Sequence, residues 1–119
     1  MVTYKLGPVE TRFADIVWSN EPLSTRDLVE ICGEELNWKR TTTYSVLKKL
    51  CDKGFFKMEN STVTALITKE EYSAIQSEQF LDETFQGSLP AMLVAFGSRK
   101  KLTKKEAEEL HEVINKMRG

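Results

Sequence analysis

The chain has 119 residues, of which 40% are hydrophobic and 29% are charged, and its formal net charge is −1. These values are typical of a soluble globular protein with one domain, or with one small domain plus an appendage. No apolar run reaches the roughly 18 residues that a membrane-spanning helix needs, and the first residues lack the apolar stretch of a signal peptide, so we expect a cytoplasmic protein with no membrane partner.

The first predicted helix runs from Pro8 to Trp18. Proline suits its first turn, where the missing backbone N–H costs nothing. The apolar residues at helical spacing, which we expect to face a core, are Val9, Phe13, Ile16 and Val17.

A short strand or bridge is predicted at Leu23, directly before the second helix. Ser24 is the predicted N-cap of that helix, because its hydroxyl can accept a hydrogen bond from the first turn. We expect the helix to weaken near Gly33, so that residues 36–38 form the connection to the third helix.

The third predicted helix covers Lys39 to Lys53, and Gly54 suits the position just after its end. A β-hairpin is predicted to follow directly. Its strand, turn and strand lie over residues 55–58, 59–62 and 63–67. Three helices followed by a hairpin are the order of a winged helix-turn-helix module, so we predict a winged-helix DNA-binding domain over residues 1–67.

Two capping boxes predict helix starts in the C-terminal region, at Thr68–Glu71 and at Thr103–Glu106. The first begins a helix that ends near Phe85, a short apolar helix is predicted over residues 88–96, and the last helix follows the second box. The predicted fold class is therefore mainly α with a small β-hairpin, in which the winged helix-turn-helix domain is followed by a C-terminal helical dimerisation region over residues 68–119.

Basic residues are concentrated around the third predicted helix. Residues 39–57 contain six basic residues and one acidic residue, a net charge of +5, which leaves −6 for the rest of the chain. This local excess favours an anionic partner, although an ordinary solvated helix face would also carry it.

The third helix has two different faces when its residues are placed at about 100° intervals. The predicted buried face consists of Thr43, Val46, Leu47, Leu50 and Cys51. The opposite face carries Thr41, Thr42, Ser45, Lys48 and Lys49, with Tyr44 on its flank and Arg40 at its N-terminal end. Hydroxyl and ammonium groups bind base edges and phosphates, so we predict that this face enters the major groove of double-stranded DNA.

The turn of the hairpin is a second candidate for DNA contact. It carries Asn60, Ser61 and Thr62, with no arginine or lysine at its tip. We therefore expect contact with the DNA backbone at most.

The last three predicted helices are rich in apolar residues for their length. The candidate dimer-interface residues are Phe80, Leu81, Phe85, Leu89, Met92, Leu93, Phe96, Leu110 and Ile114. A symmetric partner would bury those that one chain cannot, and the alternative is a core within a single chain. A homodimer would also read two half-sites about one helical turn apart.

No arrangement of residues indicates catalysis, a cofactor or a metal site. The chain has one histidine, His111, and its two cysteines, Cys32 and Cys51, lie in apolar helical patterns that predict burial. With no Gly-rich phosphate loop and no nucleophile–base–acid set, we do not expect an enzyme. The alternative function is a winged-helix protein-interaction module, which would need apolar anchors on the outer face of the third helix.

Several segments together carry a family resemblance. They are Leu6–Glu10, Val17–Trp18, Glu21–Ser24, Trp38–Leu50, Lys53–Gly54, Ser77–Leu81, Phe85–Leu89 and Lys101–Thr103. Through them the chain resembles the penicillinase-repressor family of winged-helix transcriptional regulators over nearly its whole length. The resemblance implies a homodimeric repressor on a palindromic operator. The groove-facing positions that it implies are Thr41, Thr42, Tyr44, Ser45 and Lys49.

Three departures from the family pattern bear on capping and regulation. A Ser-Pro pair that often caps the recognition helix is replaced by Lys39-Arg40, so Asn37 is the predicted cap. Antibiotic-responsive members are cut by a regulatory protease at an Asn–Phe bond, and the matching pair here is Ala95-Phe96, which argues against such a partner. Copper-responsive members carry C-terminal cysteine pairs, whereas this chain has no cysteine after Cys51.

Overall fold

The computed structural model describes residues 4–119, which form a mainly helical chain with one small sheet. The elements are α1 (Pro8–Asn20), β1 (Leu23–Ser24), α2 (Thr25–Leu36), α3 (Arg40–Asp52), β2 (Phe56–Glu59), β3 (Thr62–Ala65), α4 (Lys69–Phe85), α5 (Leu89–Gly97) and α6 (Lys104–Met117). This order confirms the predicted winged-helix fold class. Within residues 4–119, no helix combines the length and the hydrophobicity needed to cross a bilayer.

The sheet has three antiparallel strands in the order β1-β3-β2. Its hairpin lies close to the predicted position and is closed by Asn60 and Ser61, which have φ angles of 52° and 57°. Two consecutive left-handed residues are typical of a type I′ turn, whose twist matches that of the strands. β3 ends before the predicted residue 67, because the N–H groups of Leu66 and Ile67 both donate to the Phe55 carbonyl.

The core of the first compact unit lies between α1, α2, α3 and the sheet. The Phe13 ring stacks on Trp38 with a centroid separation of 5.8 Å and meets Phe56 edge-on. The largest fully buried side chains are Phe13, Phe55, Phe56, Leu28, Leu50, Val17, Val63, Thr43 and Cys32. Aromatic and branched side chains packed in this way supply most of the stabilisation of so small a domain.

The first compact unit continues through Ser77, and the second runs from Glu78 to Gly119. The first half of α4 belongs to the first unit because Tyr72 and Ile75 pack against its core. The compact unit therefore extends past the predicted domain boundary at residue 67. The functional division into a DNA-binding domain and a dimerisation region stays a prediction.

The prediction that Val9 faces the core is wrong, because its side chain is 55% exposed. Val9 lies one turn before Phe13 on the same side of α1, but the packed core begins only at Phe13. Leu6, from the segment before the helix, is buried at this end instead.

The predicted cap of α3 is also wrong. Asn37 is the C-cap of α2, with a left-handed φ of 57°, and the backbone N–H of the following Trp38 donates to the Cys32 carbonyl at 3.3 Å. The N-cap of α3 is Lys39, which makes no side-chain capping hydrogen bond. Gly33 does not end α2, which continues to Leu36.

The helix starts predicted in the C-terminal region are confirmed by their hydrogen bonds. The Thr68 hydroxyl accepts from the Glu71 N–H at 3.0 Å, and the Thr103 hydroxyl accepts from the Glu106 N–H at 3.1 Å. Ser88 caps α5 in the same way, directly after Gly87 with its left-handed φ of 79°. The second unit has no fully buried side chain between Glu78 and Gly119.

Candidate nucleic-acid interface

Three residues on one side of α3 fix the helix to the domain. Thr43, Leu47 and Leu50 are buried, and the Thr43 hydroxyl donates to the Lys39 carbonyl at 3.2 Å. Val46 and Cys51, which were also predicted to be buried, are half-buried at the edges of this face. Gly54 follows the helix with a φ of +88°, a conformation that favours glycine.

The opposite side of α3 is open to solvent. Every residue predicted to face outward is exposed, and these residues are Thr41, Thr42, Ser45, Lys48 and Lys49. Arg40, in the first turn, is exposed as well. The structure thus brings three hydroxyl groups and three cationic groups onto one helix, where they can meet the edges and phosphates of a duplex.

Tyr44 occupies the flank of α3 and is half-buried. The Arg40 guanidinium carbon lies 5.6 Å from the centre of its ring, a cation–π distance. A hydrogen bond from the Thr25 side chain lowers the pKa of the Tyr44 phenol, and the positive charge of Arg40 lowers that pKa further. Tyr44 therefore contacts the first turn of α2 as well as its own helix.

An acidic residue of α1 contacts the basic side chains of α3. Glu10 Oε2 lies 3.0 Å from Lys49 Nζ and 3.9 Å from Lys53 Nζ. The pKa of Glu10 is lowered chiefly by the hydrogen bond from the Gly7 N–H and then by the two lysines, while burial opposes the shift. Glu10 was not among the residues predicted for this surface. Its spacing from Gly7 is typical of a helix start, but no local pattern indicates a contact with α3.

The hairpin turn carries no positive charge. Asn60 and Ser61 are exposed and Thr62 is half-buried at the start of β3. The nearest basic residue on β2, Lys57, pairs with Glu59 at 3.4 Å. The electrostatic attraction of this turn for DNA is therefore weak.

The apolar residues of the second unit remain largely accessible. Of the predicted interface residues, Phe80, Phe96 and Ile114 are exposed, and the half-buried ones are Leu81, Phe85, Leu89, Met92, Leu93 and Leu110. An apolar groove of about 430 Å³ brings Leu93, Phe96 and Leu110 together. Leu102 and Val113 also line it. Neither was predicted as an interface residue, although Val113 lies three residues after Leu110, at helical spacing.

The cysteines are free thiols without the features of a reactive site. Cys32 is buried, and burial raises the pKa of its thiol to about 11. Cys51 is half-buried, and burial raises its pKa as well. Both thiols stay protonated at neutral pH, whereas nucleophilic attack requires a thiolate. In the described part of the chain, no three histidine, cysteine or acidic residues are grouped to hold a metal ion.

Fold and surface together define a winged-helix protein of the DNA-binding transcription-regulator class. The sequence profile of the penicillinase repressor family matches residues 6–116, so the chain belongs to this family. Comparison with curated proteins finds the methicillin resistance regulatory protein MecI of Staphylococcus aureus strain Mu50, 24% identical over 118 residues and covering 96% of both chains. The penicillinase repressor of Bacillus licheniformis is 20% identical over 114 residues, which are 92% of this chain and 89% of that protein.

Proposed function

We propose that this chain represses transcription as a homodimer that binds a palindromic operator through α3 of each protomer. The observation that carries this proposal is the composition of the exposed face of α3, where hydroxyl and cationic groups stand together without an apolar anchor. The names of the relatives, a penicillinase repressor and a resistance regulatory protein, support a repressor role.

Different residues on this face would have different tasks. Thr41, Thr42 and Ser45 are short and exposed, so we assign them to base edges in the major groove. Lys48 and Lys49 have long flexible side chains and are assigned to phosphates, which position the helix without reading sequence.

Arg40 and Tyr44 form one unit at the start of α3, because the guanidinium lies over the ring. We assign both to the phosphate backbone, since Tyr44 lies on the flank of the helix rather than at the centre of its exposed face. The wing residues Asn60, Ser61 and Thr62 would touch the backbone only, because the turn has no cation.

The second unit would supply the dimer interface. Its apolar groove contains Leu93, Phe96 and Leu110, and Phe80 and Ile114 are exposed elsewhere on the same unit. A second copy would cover these side chains and bring two recognition helices to two half-sites. The cytoplasm, where such a protein meets its DNA, stays the predicted location.

A protein-interaction module is the competing function, and it requires aromatic or aliphatic anchors on the outer face of the recognition helix. The described outer face of α3 has none. Release by proteolysis is not part of the proposal, because Ala95-Phe96 stands where cleaved members of the family have Asn–Phe.

The test is a footprint of the protein on DNA upstream of its own gene, followed by affinity measurements on the protected duplex at several salt concentrations. A dimeric repressor should protect two symmetric half-sites and lose affinity steeply with salt, with a slope of about −0.9 for each phosphate neutralised. Absence of protection, or affinity that does not change with salt, would contradict the proposal.

A further inference from the structure

The carboxylate of Glu10 has two separate tasks in the structure. Its Oε1 accepts a hydrogen bond from the Gly7 N–H at 3.1 Å, in the manner of a capping-box residue. Its Oε2 lies 3.0 Å from Lys49 Nζ. One oxygen thus holds the side chain at the start of α1, and the other is directed at the recognition helix.

The ion pair lies at the border between core and solvent. The Glu10 side chain is 18% exposed, whereas that of Lys49 is 58% exposed. A carboxylate fixed by its own helix and largely shielded from water is less screened than a partner on a free surface. Lys53, one turn after Lys49, lies 3.9 Å from the same oxygen and is held on the same side.

The neighbouring lysine is in a different situation. Lys48 is also exposed on α3, and it forms no ion pair with any residue in the described part of the chain. The two adjacent lysines assigned to phosphate therefore differ, because only the charge of Lys49 is already compensated within the protein.

We propose that Glu10 is a positioning residue that limits the DNA affinity of α3 by competing with phosphate for the Lys49 ammonium. The inference rests on the proposed DNA-binding function. A phosphate that approaches α3 must draw Lys49 away from Glu10, whereas Lys48 is available at once. Glu10 would thereby weaken the purely electrostatic binding that every DNA sequence offers.

The test uses Glu10→Gln, which removes the charge but keeps an oxygen that can accept the Gly7 hydrogen bond. Affinity for a duplex of random sequence is measured against salt concentration. We expect binding to tighten by about fivefold at low salt. The slope of log affinity against log salt should steepen by about 0.9 for each phosphate contact that Lys49 gains.

Asp15→Asn is the matched control. Asp15 lies on the same helix and the substitution changes the net charge equally, but its partner is Lys69 of α4, at 2.9 Å. We expect this variant to leave the salt slope unchanged. An equal gain for Glu10→Gln and Asp15→Asn would overturn the proposal, because the effect would then come from net charge alone.

A second comparison isolates the route through the lysines. In a Lys49→Ala, Lys53→Ala background, Glu10→Gln should bring no gain in affinity, and a persisting gain would overturn the proposal. If Glu10→Gln does not fold, Glu10→Asp replaces it. The aspartate side chain is shorter by one methylene, so its carboxylate lies farther from Lys49. We expect this variant to give a smaller gain in affinity of the same sign. Failure of the wild-type protein to bind any duplex at low salt would instead reject the proposed function itself.

Discussion

Arg40 lies over the ring of Tyr44, with the guanidinium carbon 5.6 Å from the ring centre. The two residues are one helical turn apart on α3, so the helix itself sets their spacing. The Thr25 side chain hydrogen-bonds to the same tyrosine from the first turn of α2. Tyr44 thus links α3 to α2 from the flank of α3, whose exposed face carries Thr41, Thr42 and Ser45.

This arrangement predicts that the Tyr44 phenol ionises at a lower pH than an ordinary tyrosine. The pKa of Tyr44 lies below the ordinary value of 10.0, first because of the hydrogen bond from Thr25 and then because of Arg40. An alkaline titration followed by ultraviolet absorbance should therefore show one phenol that ionises first, and Tyr44→Phe should remove it. Thr25→Val, a substitution of similar volume, should move the same step toward 10.0. An early step that survives in Tyr44→Phe would contradict the assignment.

Thr42 and Thr43 form a natural pair for separating DNA recognition from stability. Thr42 is exposed, whereas Thr43 is 1% exposed and its hydroxyl donates to the Lys39 carbonyl. Thr42→Ala should relax the base preference by about 1–3 kcal/mol at one position of each half-site and leave the unfolding temperature unchanged. Thr43→Ala should instead lower the free energy of unfolding by about 1–2 kcal/mol.

The change in base preference is measured by binding to a panel of operator variants, and the change in stability is measured by thermal denaturation. The same change in base preference from both substitutions would indicate that α3 is disturbed as a whole. In that case Thr42 would not be a base-reading residue.

The face of α3 could be predicted from sequence because one helix sets its own periodicity. Thr41, Ser45 and Lys48 fall on one side wherever the helix is placed, and a glycine marks its end. The ion pair between Glu10 and Lys49 could not be predicted in this way. It depends on how α1 and α3 cross, and residues so distant in sequence carry no shared pattern.

The predictions for Asn37 and Val9 were wrong because a local pattern does not fix the tertiary context of a residue. Asparagine suits an N-cap and also the left-handed position after a helix, and Asn37 takes the second role because α2 continues to Leu36. Helical spacing identified the face on which Val9 lies, but spacing does not tell where along a helix the packed core begins.

Lys49→Ala should weaken binding to the operator duplex, where we expect Lys49 to exchange Glu10 for a phosphate, and should reduce the salt dependence of that binding. Removal of one phosphate contact from each protomer lowers the slope by about 0.9 per contact. Lys69→Ala is the control, since it removes the same charge from α4, where Lys69 pairs with Asp15. Fluorescence anisotropy at four or more salt concentrations measures both slopes. Equal slopes for wild type and Lys49→Ala would exclude Lys49 from the phosphate contacts.

Phe96→Asp should dissociate the proposed dimer. Phe96 is 47% exposed and lines the apolar groove with Leu93 and Leu110, where a charge buried against a second copy would be costly. Leu66→Asp is the control. Leu66 is similarly exposed, at 55%, but it belongs to the first unit and lies outside the proposed interface. Sedimentation equilibrium should find a dimer for wild type and Leu66→Asp, and a monomer for Phe96→Asp. A monomeric wild type at micromolar concentration would contradict the proposed interface.

Glu10 also predicts how stability changes with acid. Its pKa is lowered in the folded protein from an ordinary value of 4.5, mainly by the Gly7 N–H and then by Lys49 and Lys53. A carboxyl group with a lowered pKa stabilises the fold above its unfolded pKa, and this contribution is lost as the pH falls through the folded pKa.

Glu10→Gln should therefore be less stable than wild type by about 0.5–1 kcal/mol at pH 7, since the ion pair is partly exposed. The difference should shrink as the pH falls below the ordinary value of 4.5, because wild-type Glu10 becomes protonated and neutral like glutamine. Urea denaturation of both proteins between pH 7 and pH 3 measures this difference in the free energy of unfolding. The same comparison in a Lys49→Ala, Lys53→Ala background should give a smaller difference. A difference that is constant with pH would show that the carboxylate charge of Glu10 does not stabilise the fold.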